Sequence, residues 1–134
     1  MARQIYVNLP VRDLPRTRAF FSALGFTFEP KFSNDDAACM VIADNIFAML
    51  LVEPFFRSFT RKTICNTGES TEVLICLSCE SRAEVKELVA KAVAAGGRIA
   101  REDKEHGFMY EHAFEDLDGH TWELVYMDPD AAPN

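Results

Sequence analysis

Ile5-Tyr6-Val7-Asn8-Leu9-Pro10-Val11-Arg12-Asp13-Leu14-Pro15 reads as a strand delivered into a helix. Ile5 to Leu9 is a short β-prone run. Asp13 marks the helix start, because its carboxylate accepts from the free N–H groups of the first turn. Pro15 is tolerated in that turn, where N–H groups have no intrahelical partner. Thr17, Phe20, Phe21 and Leu24 then fall on one helical face, and Gly25 supplies a left-handed stop. Three β-like pieces follow: Phe26 to Phe28, Ala37 to Ile42, and Ile46 to Val52. The turn Ala43-Asp44-Asn45 divides the last two.

The same order returns about 70 residues further along the chain. Val73 to Leu77 reads as a strand. Ser81-Arg82-Ala83-Glu84 is a capping box, serine at the cap and glutamate three residues on. Val85, Leu88, Val89, Ala92 and Val93 form an apolar helical stripe, and Gly96-Gly97 ends it. Arg98 to Arg101, Gly107 to Glu115 and His120 to Tyr126 read as strands, with Asp118-Gly119 as the hairpin turn between the last two. The order β-α-β-β-β, twice, predicts an α+β fold. Two βαβββ modules form a curved mixed sheet, a half-barrel, with helices outside and a concave inner face for a ligand. The expected division is module one over 3–57, a linker over 58–70, module two over 71–127 and a tail over 128–134.

Composition narrows the function. The 134 residues fit one vicinity of domain size, and 49% hydrophobic with 26% charged residues is a globular balance. Fourteen basic against 21 acidic residues give a net charge of −7, the wrong sign for a phosphate-backbone binder. The longest apolar run, Ile46 to Val52, has seven residues, against about 20 for a bilayer span. Asp13 interrupts the N-terminus before a signal-peptide core forms. The expectation is a cytoplasmic protein that uses neither nucleic acid nor membrane. Its four cysteines, Cys39, Cys65, Cys76 and Cys79, are then reduced thiols. Cys76 and Cys79 have CxxC spacing, but on a strand positions three apart point to opposite faces, so they read as inert.

Residues 5–14, with Phe20-Phe21 and Leu24-Gly25-Phe26, resemble the opening of vicinal oxygen chelate proteins. The ending Asp116-Leu117-Asp118-Gly119-His120-Thr121-Trp122-Glu123-Leu124 resembles their last hairpin. That superfamily includes glyoxalase I, extradiol dioxygenases, fosfomycin-modifying enzymes and bleomycin-resistance proteins. The resemblance covers residues 3 to 127 and speaks to fold more than to reaction. It implies a small-molecule ligand and a homodimer. In metal-dependent members four His or Glu ligands hold a divalent ion. The matching positions here are Tyr6, Met49, Leu74 and Glu123, and only Glu123 has a good ligand side chain. No cofactor is therefore expected; the alternative is a divalent metal on relocated ligands, Glu123, Glu72 and His112, serving a lyase or dioxygenase.

The expected cleft is bordered by Tyr6, Asn8, Met49, Leu74, Cys76 and Glu123. Glu123 is the candidate catalytic residue. Facing Met49 and Leu74, it would be partly desolvated and act as a base; the plainer role is a hydrogen bond to Tyr6 or water. His106 and His120 read as solvated loop residues. Trp122 alternates with Glu123 and should pack against the helix layer. The stretch Glu53 to Ser70, with Phe55, Phe56 and Phe59 interleaved with Arg57, Arg61 and Lys62, is long for a plain connector. It reads as a packing or dimer element.

Overall fold

The computed structural model describes residues 3–131. The chain forms two compact units that divide after Cys65. In the first, β1 (Ile5–Val11), α1 (Leu14–Ala23), β2 (Thr27–Phe28), β3 (Ala37–Ala43) and β4 (Ile46–Val52) follow one another. A short helix, α2 (Glu53–Arg57), comes next. In the second, β5 (Leu74–Cys79) leads to α3 (Arg82–Ala94), β6 (Arg98–Glu105), β7 (Met109–Glu115) and β8 (Thr121–Met127). Each unit holds one four-stranded sheet, and the orders correspond: β1-β4-β3-β2 and β5-β8-β7-β6. In both, the first strand runs parallel to the last, and the last three are antiparallel. The expected βαβββ modules are present.

Local chemistry sets the boundaries. Asp13 caps α1 through Oδ1, which accepts from Arg16 N at 3.1 Å. Gly25, at φ +101°, ends it where an L side chain would be strained. β1 runs two residues past the expected strand and takes in Pro10. Proline is tolerated because β1 pairs on one side only within its sheet. Ser81 Oγ accepts from Glu84 N at 3.0 Å, and Glu84 Oε1 reaches back to Glu80 N at 2.7 Å. The box is thus closed one residue outside the usual N-cap donor.

The helices cover one face of each sheet. α1 lies on β3 and β4, and α3 lies chiefly on β7. Thr17, Phe20, Phe21 and Leu24 are all buried, with Leu9, Val11, Met40 and Leu50 beneath them in the first core. In the second, Val85, Val89 and Ala92 meet Phe114, Trp122 and Leu124. Each fully buried large apolar side chain contributes about 1.5–3 kcal/mol, which is what holds either helix to its sheet. Val93, expected in the stripe, is 44% exposed; it sits at the margin of the buried arc. α2 replaces the expected connector at its start, and Phe55 and Phe59 meet edge to face at 5.1 Å while remaining exposed. No helix among the described residues is long and apolar enough to cross a membrane.

Candidate functional site

Strand alternation leaves each sheet a second face, turned away from its helix. In the first unit Tyr6 pairs with Phe47 and Asn8 with Met49, and Cys39 adjoins Met49 across β3. Tyr6, Asn8 and Met49 therefore share one face. The Tyr6 and Phe47 rings stack with centroids 4.9 Å apart and planes 12° from parallel. Tyr6 Oη donates to Gln4 Oε1 at 3.0 Å, and Asn8 Nδ2 donates to the Tyr6 carbonyl at 3.2 Å. The tyrosine hydroxyl thus has a local acceptor in Gln4. This surface is aromatic and thioether-rich, without a charged group among the paired positions.

The second unit's helix-free face is different. Leu74 pairs with Thr121 and Cys76 with Glu123, so these share one face with Ala113, the antiparallel neighbour of Glu123. The sequence reading expects Glu123 in apolar surroundings. Instead its Oε2 meets Arg101 Nη2 at 3.0 Å, and the same nitrogen lies 3.1 Å from Glu111 Oε1. One guanidinium nitrogen bridges two carboxylates from adjacent strands. All three side chains are largely covered, at 33%, 24% and 23% exposure for Arg101, Glu123 and Glu111. Arg101 Nη1 is buried and has no acceptor among the described residues. His106 Nε2 extends the row to Glu111 Oε2 at 3.5 Å. Glu123 is thus held by an ion pair on this face.

The cysteines follow the expected geometry, with Cys76 exposed on this face and Cys79 turned the other way. Reduced hydration and the nearby Glu123 and Glu111 carboxylates raise the Cys76 thiol above its ordinary value, against the pull of Arg101. It is protonated at neutral pH and a weak nucleophile. Cys79 is pushed up to about 12 by burial and by Glu84.

One histidine expectation needs correction. His120 is buried at 6% exposure, not solvated. It lies beneath the β7–β8 turn beside Asp116, the buried polar centre of this unit. Asp116 Oδ1 accepts from the backbone N–H of Asp118 at 2.9 Å and of His120 at 3.0 Å, and Oδ2 accepts from Trp122 Nε1 at 3.0 Å. Burial raises the Asp116 carboxyl, while His120 and these hydrogen bonds pull it down. Trp122 is fully buried on the helix side as expected. His112 pairs with Leu124 and so lies on the helix-side face, opposite to Glu123. Glu72 lies before β5 begins. The relocated set Glu123, Glu72 and His112 is therefore not assembled. Tyr6, Met49 and Leu74 offer a metal a neutral phenol, a thioether and nothing, and Glu123 is occupied by Arg101. Among the described residues no three His, Cys, Asp or Glu side chains are grouped to hold a metal ion. With the Arg101 guanidinium between Glu111 and Glu123, the donors as they stand do not fit a divalent cation.

Farther along β6, Arg82 grips Glu105 with Nε to Oε1 at 2.7 Å and Nη2 to Oε2 at 2.9 Å, and donates to the Gly107 carbonyl. Tyr110 Oη donates to Asp103 Oδ2 at 2.6 Å. Neither Arg101, Glu111 nor Asp116 was singled out by the sequence reading.

Comparison with known proteins agrees with this architecture. Residues 3–43 match a family model described as bleomycin resistance protein-like, N-terminal. The hypothetical protein SA1046 from S. aureus superposes with a TM-score of 0.79 at 28% identity, over 94% of this chain and 95% of that one. A glyoxalase/bleomycin resistance protein/dioxygenase family enzyme from Burkholderia phytofirmans gives 0.76 at 16% identity, over 94% and 99%. The genomically encoded fosfomycin resistance protein FosX from Listeria monocytogenes, complexed with Mn(II) and sulfate, gives 0.70 at 20% identity, over 97% and 94%. Among curated proteins none matches. The fold is that of the vicinal oxygen chelate superfamily, and the resemblance carried by the two sequence ends holds.

Proposed function

We propose that this chain is a small-molecule binding protein of the glyoxalase, bleomycin-resistance and dioxygenase type that works without a metal. One observation carries the reading. Large apolar side chains, Tyr6 at 40% and Leu74 at 55% exposure, stand on helix-free sheet faces where a folded chain has every reason to hide them. The two faces differ in chemistry. Tyr6, Phe47 and Met49, beside Asn8, suit an aromatic or apolar group. Leu74 and Cys76, beside Glu123 and Arg101, suit a polar end that can pair with a carboxylate. Glu123 is then a ligand contact held in place by Arg101, and any catalytic part it plays depends on that pair. The family resemblance adds a homodimer as the expected assembly, which sedimentation equilibrium tests.

Amide and methyl NMR shifts during titration with uncharged aromatic fragments (indole, quinoline, naphthol) test the reading. The expected changes fall on Tyr6, Asn8, Met49, Leu74, Cys76 and Glu123. Tyr6→Ala weakens fragment binding by about three- to tenfold, the worth of one aromatic contact. Changes confined to the helices, or none across the panel, overturn it.

A further inference from the structure

We infer that Arg101 is the resident cation of the second unit's helix-free face. Its guanidinium occupies the place between Glu111 and Glu123 that would otherwise attract a divalent metal. This rests on the small-molecule reading for its purpose, but not for its evidence. Glu111 and Glu123 are diagonal neighbours on β7 and β8, on one face of the sheet. Two like charges so placed repel unless something positive lies between them. Arg101 Nη2 does so, 3.1 Å from one carboxylate and 3.0 Å from the other. Nη1 of the same guanidinium is buried and has no acceptor among the described residues.

The neighbours show what the cation excludes. His106 Nε2 stands 3.5 Å from Glu111, and Cys76 is the ladder partner of Glu123. Two carboxylates, an imidazole and a thiol are donor types that suit cobalt or zinc, although as they stand, with Arg101 between the carboxylates, no three of them are grouped to hold an ion. Arg101 keeps them apart as ligands, because a fixed monocation repels a dication and fills the volume between the carboxylates. A ligand on this face accordingly meets a guanidinium–carboxylate pair rather than a Lewis-acidic metal.

The test is titration of chelator-treated protein with Co(II), read by visible absorption and equilibrium dialysis, with no assay of activity. The wild type takes up no stoichiometric Co(II). Arg101→Ala takes up a single equivalent, about a hundredfold tighter than the wild type. Glu123→Gln in the same background abolishes the uptake. Arg101→Lys, which keeps a cation, behaves as the wild type. Circular dichroism and melting confirm that each variant folds. Stoichiometric uptake by the wild type that Glu123→Gln removes overturns the inference, and needs no Arg101 variant. So does a folded Arg101→Ala that binds no more Co(II) than the wild type. Fragment titration of the wild type reads the small-molecule proposal separately, so the two failures are distinguishable.

Discussion

Asp116→Ala is the most informative single change for the stability of the second unit. The side chain is 5% exposed and serves three donors: the N–H groups of Asp118 and His120, and the indole Nε1–H of Trp122. Alanine leaves all three without that acceptor. A buried donor left unpaired costs about 1–3 kcal/mol. The simple sum is an upper limit, because the three share one carboxylate and do not add independently. Burial also raises the carboxyl, so removing it returns part of a desolvation cost. These opposing effects set the expected loss at about 3–5 kcal/mol. Urea unfolding at neutral pH, followed by far-ultraviolet circular dichroism, measures it. Trp122→Phe supplies the internal check by removing one of the three donors. In that background Asp116→Ala should cost about 1–2 kcal/mol less than in the wild type. A loss below about 1 kcal/mol, or strict additivity in the cycle, would refute the view that Asp116 organises the turn and anchors the tryptophan.

Two glycines separate backbone strain from crowding. Gly119 has φ +82° and Gly107 φ +85°, yet a Cβ at 119 would lie 2.8 Å from Thr67 Oγ1 while one at 107 meets nothing within 4 Å. Gly107→Ala should cost about 1–2 kcal/mol for the left-handed backbone alone. Gly119→Ala should cost roughly 1–3 kcal/mol more, as overpacking does; equal losses in urea unfolding would show that the Thr67 contact is not made. The Glu105 carboxylate is lowered from 4.5 to about 2, chiefly by its hydrogen bond with Arg82. Its folded value is depressed, so the stabilisation is complete above about 4.5 and is lost as pH falls toward 2. Carboxyl carbon NMR should place the Glu105 midpoint near 2 in the wild type and return it toward 4.5 in Arg82→Ala; an unchanged midpoint would show that the clamp does not form in solution.

The fold was legible because its signals are local and periodic. Asp13, Gly25, Ser81 and Gly96 each mark a helix end through its unpaired backbone groups, and those constraints need no knowledge of the partner element. Thr17, Phe20 and Phe21 announce a buried face by spacing alone. The same arithmetic set Trp122 against Glu123 and Cys76 against Cys79. His120 was misread because a residue beside a turn glycine is usually solvated. Here Asp116 folds under the turn and draws the following strand start inward. That depends on one carboxylate choosing backbone partners two and four residues on, a choice no hydrophobic pattern records. Val93 shows the converse limit: helical spacing fixes a direction but not the width of the sheet that must cover it.

Arg101 escaped for a more specific reason, and it decides the character of the candidate site. Ile99 pairs with Phe114, which belongs to the helix-side face. Strict alternation gives Arg101, two residues later, the same face and sets it opposite His112. The ladder instead skips a register step between Ile99 and Arg101, so Arg101 pairs with Ala113. Ala113 is the neighbour of Glu123. The extra residue in β6 turns the arginine onto the helix-free face, the re-aiming that β-bulges produce near functional groups. A second skip, between Arg101 and Lys104, follows within the same strand. Without the first, Glu111 and Glu123 would face each other with no cation between them, and Arg101 would press a guanidinium toward the apolar layer under α3. Either outcome is costly, so the bulge and the Glu111–Arg101–Glu123 row support one another. Deleting Ala100 should remove the bulge yet leave Arg101, now directly after Ile99, opposite Ala113, so both ion pairs should persist. Co(II) uptake by that variant should therefore stay at the wild-type level; uptake like that expected of Arg101→Ala would refute this account of the register.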